Sequence, residues 1–158
     1  KHVSKWNSIE LSVMYEYEGF PLADNSYNDT LAPLVNNTTK DLIEKSFGEY
    51  IEFLPMLETE SQEIFYLANV LSIIDGIDYE KSEVKTIGMG CIIEIIKYHM
   101  REEVKSYPIF RAYINGYVDT TELYVTDVFK NFVESHNLTG FVFTEVFEFE
   151  DLEPSKMN

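Results

Sequence analysis

The stretch LVNNTTKDLIEKSFGEYIEFLPM, residues 34–56, decides the fold, because YVTDVFKNFVESHNLTGFVFTEV, residues 124–146, echoes it later in the chain. Laid over each other without a gap, Val35 meets Val125, Lys40 meets Lys130, Glu44 meets Glu134 and Phe53 meets Phe143. The identities are few, but the physical pattern matches throughout. Each copy opens on a short apolar pair. A polar residue follows, Asn37 or Asp127, whose side-chain oxygen is suited to accept from the free N–H groups that begin a helix. Leu42 and Ile43 take the places of Phe132 and Val133 at helical spacing, and Gly48 or Gly140 helps end the turn before an aromatic-rich strand. Both copies read as strand, helix, strand, and nothing in either resembles a catalytic loop.

Working outward, residues 1–33 alternate around Ile9, Leu11, Val13 and Tyr15 with period two, a strand pattern, before the polar loop DNSYNDT. After ETESQE comes IFYLANVLSIID. Its β-branched and aromatic residues favour a buried strand or two short strands, although Ile64, Leu67, Leu71 and Ile74 also fit a helical stripe. CIIEIIKYHM and PIFRAYIN are two further strand candidates, with Pro108 at the start of the second. Helices set between antiparallel strands predict an α+β fold, a largely antiparallel sheet covered on one face. One domain over 1–158 is expected, with its core at about 34–146 and an acidic tail over 147–158.

The chain carries 28 Asp and Glu against 12 Lys and Arg, a formal charge of −16. That field repels phosphate backbones and anionic bilayers, which argues against nucleic acid and membrane as partners. It attracts a basic protein and speeds its capture. With 45% hydrophobic residues the chain has enough apolar content to fold around a core, so the acidity belongs to a folded surface rather than a disordered tail. Cys91 is the only cysteine, which excludes an internal disulfide; flanked by Ile92 and Ile93, it is expected to be buried and inert. A cytoplasmic location is the expectation, as the sequence shows no signal-peptide pattern and no bilayer-length apolar run. The sequons at Asn28, Asn36, Asn37 and Asn137 then read as turn and cap residues.

The search for chemistry returns little. There is no GxSxG, P-loop or GxGxxG pattern, and GMG at 88–90 reads as a turn. His99 and Glu103 are four apart, but a metal site needs three or four ligands and no second histidine is near. His136 falls near the end of the second predicted helix, where a cation suits the helix dipole. Asp75 and Asp78 flank Gly76, where carboxylates commonly accept N–H bonds from a turn. No catalytic residue, metal or cofactor is expected.

The run FYLANVLSIIDGIDYEKS, with Asn69, Asp75, Asp78 and Ser82 at these spacings, resembles a family of bacterial immunity proteins of polymorphic toxin systems, the immunity-eleven type. The PIFRA segment at Pro108–Ala112 and the closing unit VTDVFKNFVESHNLTGFVFTEV, with LTGF before its last strand, strengthen the likeness, which spans about Leu34 to Val146. The resemblance implies a cytoplasmic antidote that binds a cognate toxin and blocks it without catalysis of its own, and the acidity suits a basic toxin such as a nuclease-like domain. It leaves Asn69, Asp75, Asp78 and Ser82 as family positions with structural roles. Candidate toxin contacts come instead from surface charge and aromatics: Glu102, Glu103, Glu145, Glu148, Glu150 and Asp151, with Tyr113 and Tyr117 as anchors. The competing readings are an acidic interaction or structural domain without a toxin, and a carboxylate-dependent enzyme.

Overall fold

The computed structural model of the chain describes residues 6–7, 9–11, 23–26 and 32–149. Its longest feature is an antiparallel hairpin of β4 (Ile51–Glu58) and β5 (Ile64–Val70), with Phe53 opposite Ala68 and Leu54 opposite Leu67. Glu58 shapes the connecting turn, its Oε2 accepting from the N–H groups of Glu60 and Ser61. The short strand β3 (Leu34–Val35) adds antiparallel to β5, and β2 (Asn25–Ser26) adds to β3. On the far side, β1 (Ile9–Leu11) runs parallel to β4, giving the order β1-β4-β5-β3-β2. Hydrogen bonding on both edges of β5 is what makes IFYLANV a strand rather than a helix, because β-branched and aromatic side chains fit a sheet paired on both sides.

A second sheet is built on β9 (Ile109–Ile114). It pairs antiparallel with β10 (Tyr117–Val118) and β11 (Tyr124–Val125), and parallel with β6 (Ile73–Ile74). A separate two-stranded hairpin consists of β7 (Glu83–Ile87) and β8 (Cys91–Lys97), turning at Gly88–Gly90. The fold is therefore α+β and mainly antiparallel, as the sequence predicts.

The two sequence copies coincide through their first two elements. β3 and β11 occupy matching positions, and α1 (Asn37–Phe47) and α2 (Asp127–Ser135) begin at matching residues. The caps lie one residue earlier than expected. Asn36, not Asn37, accepts from the Thr39 N–H at 2.8 Å, while Thr126 precedes α2 and makes no side-chain cap bond. Asn37 and Asp127 instead start the helices, because the cap must keep extended dihedrals that the first helical residue has already left. Asn137, at φ 52, closes α2 in the left-handed region typical of a helix C-terminus.

The copies part at their third element. Among the described residues, 141–149 join no ladder, whereas their counterpart β4 is paired on both edges. Among the described residues, the segment predicted as the last strand of the second copy is thus a strap that packs through its side chains. Phe141 and Phe143 lie on the principal core with Val35, Ile43, Phe47, Phe53, Phe129 and Val133, and Phe147 and Phe149 on a second core around Ile77, Val104, Phe110 and Tyr124. The start of the expected acidic tail is therefore packed, while residues 150–158 lie outside the described part. The helices meet through phenylalanines, Phe47 lying 5.2 Å from Phe129 and 5.0 Å from Phe132 between ring centres. Each such buried ring contributes roughly 1.5–3 kcal/mol.

Two further expectations change. The first sheet is covered on both faces at β4, because Leu34, Met56 and Phe65 form a third cluster with Trp6 and Leu11, and Trp6 Nε1 donates to the Pro55 carbonyl at 2.9 Å. Cys91 is exposed, at the turn end of a hairpin that pairs with neither larger sheet among the described residues. Val13, Tyr15 and most of DNSYNDT lie outside the described residues, although Asn25 and Ser26 within that loop form β2.

Candidate functional site

An open cleft of about 1340 Å³ lies between chain-distant elements. One wall is a 3-10 helix, Glu102–Ser106, and the other is the strap at Glu145–Phe149. Its floor is Tyr79, Tyr98, His99 and Met100. Local hydrogen bonding fixes that floor. Asp78 N–H donates to the His99 carbonyl at 2.8 Å, Ser82 Oγ donates to the Asp78 carbonyl at 2.7 Å, and the Ser82 hydroxyl oxygen accepts from His99 N–H at 2.9 Å. Arg101 N–H reaches the Gly76 carbonyl, while Gly76 itself lies so near Val104 and Phe110 that a Cβ would crowd both.

Burial raises the Asp78 carboxyl, but the Lys81 ammonium 3.3 Å away and the N–H groups of Glu80 and Lys81 outweigh it and hold the group below its ordinary value. Asp75 pairs with Arg101 at 3.3 Å, and Asn69 Nδ2 donates to Glu52 at 3.4 Å. The four family positions thus take part in turns, ladders and an ion pair. Tyr79 Oη donates to the Tyr113 carbonyl at 2.5 Å, and its hydroxyl is pushed up to about 12 by burial, with help from Asp75 and Asp119. Tyr124 is pushed higher still, by burial and by its hydroxyl contact with Tyr98.

Among the described residues, six carboxylates line the cleft, from Asp78, Glu80, Glu102, Glu103, Glu145 and Glu148, against the three cations Lys81, Lys97 and Arg101, an excess of three negative charges. Lys105 neutralises Glu102 at 2.6 Å and lies 4.1 Å over the Phe149 ring. Among the described residues, Glu103, Glu145 and Glu148 have no cationic partner within ion-pair distance. His99 packs edge-on against Phe147 at 4.8 Å, so the strap is anchored to the floor by an aromatic contact.

Four of the sequence candidates, Glu102, Glu103, Glu145 and Glu148, therefore converge on one cleft although more than forty residues separate the two pairs. Tyr113 and Tyr117 do not line it. They sit on the β9–β10 hairpin, Tyr117 79% exposed and Tyr113 less so. Glu150 and Asp151 lie outside the described residues. Sequence reasoning missed the aromatic lining of Tyr79 and Tyr98 on the floor and Phe147 on the strap, whose only signal is an aromatic beside an acidic run. It also missed the exposed apolar side chains of the β7–β8 hairpin, for which the glycine turn between two isoleucine-bearing stretches was an available cue.

Among the described residues, no three His, Cys, Asp or Glu side chains gather where they could hold a metal ion. No helix among them is long and apolar enough to cross a membrane. A family model described as "Immunity protein family (Imm11)" matches residues 33–148, most of the chain. The chain belongs to this immunity protein family. Membership in Imm11 carries a toxin-neutralising immunity role and makes a toxin the class of partner. The Imm11 match takes in both copies of the repeat and every described cleft-lining residue except Phe149. No curated protein matches the chain.

Proposed function

We propose that this single-domain protein binds its cognate toxin in the cytoplasm through the acidic cleft, occupying a basic active-site or substrate surface and blocking it without catalysis. The observation that carries this reading is the convergence of Glu103, Glu145 and Glu148, unneutralised by any described cation, on one concave face. Carboxylates left unpaired at a surface keep their attraction for an incoming cation, and in a chain of net charge −16 that attraction is added to a long-range field. If the toxin acts on nucleic acid, the carboxylates stand where phosphates would. Tyr113 and Tyr117 then contribute as aromatic anchors beyond the cleft, with Glu150 and Asp151, outside the described residues, as further acidic contacts.

The test is co-expression with the toxin encoded beside this chain, followed by co-purification and rescue of growth. Association is expected to slow steeply as salt rises, and Glu103→Lys with Glu148→Lys to slow it about tenfold at low salt. Absence of binding or rescue by the unaltered chain removes the reading. An association rate indifferent to ionic strength removes the electrostatic part alone.

A further inference from the structure

The β7–β8 hairpin is exposed and apolar in a way that folding does not require. Among the described residues, its two-stranded sheet joins neither larger sheet. Register breaks fall between Glu83 and Val84 and between Lys85 and Thr86, and across them β8 carries one extra residue each time, Ile96 and Ile93. Neither isoleucine has a cross-strand partner in the register, and they are 57% and 49% exposed. A bulge re-aims the extra side chain and twists the edge away from further pairing. At the turn, Met89 is fully exposed and Ile87 is 58% exposed.

The arm is nonetheless held in place. Asn115, in the left-handed region at φ 53, brackets Ile92 with its side-chain amide: Oδ1 accepts from Ile92 N–H and Nδ2 donates to the Ile92 carbonyl, both at 2.8 Å. Ile95 packs on the second core. The same β9–β10 turn carries Tyr117. An apolar projection fixed before binding loses less entropy on docking than a loop that must order.

We infer that this arm is a second, apolar anchor for the toxin, with Met89, Ile93 and Ile96 entering an apolar pocket beside the toxin's basic surface. The toxin binding proposed above is its premise. Charge selects that occupant over a second copy of this chain. Residues 83–97 hold two carboxylates and two lysines, so the arm is neutral in a molecule of net charge −16. A second copy brings the same repulsive field, whereas a basic partner drawn to the acidic face meets no opposing charge at the arm.

The experiment measures toxin binding by the full chain, by Met89→Asp/Ile93→Asp and by Glu103→Lys/Glu148→Lys, each at low and high salt. The arm variant is expected to unfold at the wild-type temperature and to bind at least tenfold more weakly, mainly through faster dissociation and equally at both salt concentrations. Wild-type binding with the arm variant within twofold of it overturns the inference while leaving the proposed function intact. Wild-type dimers that the arm variant converts to monomers, with toxin affinity unchanged, overturn it in favour of self-association. No toxin binding by the wild type overturns both.

Discussion

Replacing Gly140 with alanine is expected to loosen the junction between the two repeat units. Gly140 sits at φ 80, and a Cβ there overlaps the Asn25 carbonyl oxygen and comes within 2.8 Å of the Ala23 Cβ. The obstacle includes backbone, so a rotamer change cannot relieve it, and segment 23–26 must move. That segment is tied to the LTGF turn by Asn25 N–H to the Thr139 carbonyl at 3.0 Å and Asn25 Nδ2 to the Gly140 carbonyl at 3.1 Å. The Asp24 carboxylate adds bonds from Thr139 N–H at 2.8 Å and Thr139 Oγ1 at 2.9 Å. A left-handed alanine costs about 1 kcal/mol. Weakening this partly exposed set adds about 2 kcal/mol, at roughly 1 kcal/mol per hydrogen bond with water replacing some of them. The sum, about 3 kcal/mol, lowers the melting temperature by roughly 6–12 °C in a domain of this size. Gly116 supplies the control, because its φ is 79 and nothing lies within 4 Å of a Cβ there, so Gly116→Ala bears the dihedral cost alone. Urea and thermal unfolding followed by circular dichroism measure both. If Gly140→Ala is no more destabilising than Gly116→Ala, the close approach has no energetic weight and the reasoning is refuted.

The same junction sets an acid response. The Thr139 N–H, with the side chains of Thr139, Asn36 and Thr39, outweighs burial and holds the Asp24 carboxyl below its ordinary value. A depressed folded-state value contributes stability above the ordinary carboxylate range that is lost as pH falls through the depressed value, so Asp24→Asn flattens stability against pH below about 4. An unchanged acid limb in urea titrations from pH 7 to pH 3 contradicts this. The two helix starts differ as well. Asn36→Ala removes a formed cap bond and costs about 1 kcal/mol, whereas Thr126, whose Oγ1 is buried without a partner, tolerates Thr126→Val with no loss or a small gain. Equal losses at both positions in chemical unfolding count against the cap assignment.

Most of the ladder-forming chain is legible in the sequence because the signals are local. Apolar, β-branched and aromatic runs become β4, β5, β8 and β9, and matched apolar stripes at Ile43 and Val133 become the buried faces of two helices. Misreadings arise where a neighbour decides. Residues 141–149 carry the same aromatic alternation as a strand, yet a strand needs an adjacent edge, and none pairs with them among the described residues. Cys91 sits in an apolar run that reads as core, but its hairpin packs on the body mainly through Ile95, which leaves the other face in solvent.

The candidate site divides in the same way. Sequence picked out Glu102, Glu103, Glu145 and Glu148 by charge, without any means of knowing that they share a cleft. Charge, the α+β pattern, the paired helix units and the family motif were determined by the sequence itself, since each depends on composition or on spacing within a few dozen residues. Tertiary structure alone decided that the strap turns its phenylalanines onto both cores and its carboxylates toward the 3-10 helix, and that Ile93 and Ile96 stand out from the β7–β8 hairpin. Those outcomes depend on which edges, rings and backbone groups meet across long sequence separations, and no local pattern encodes such meetings.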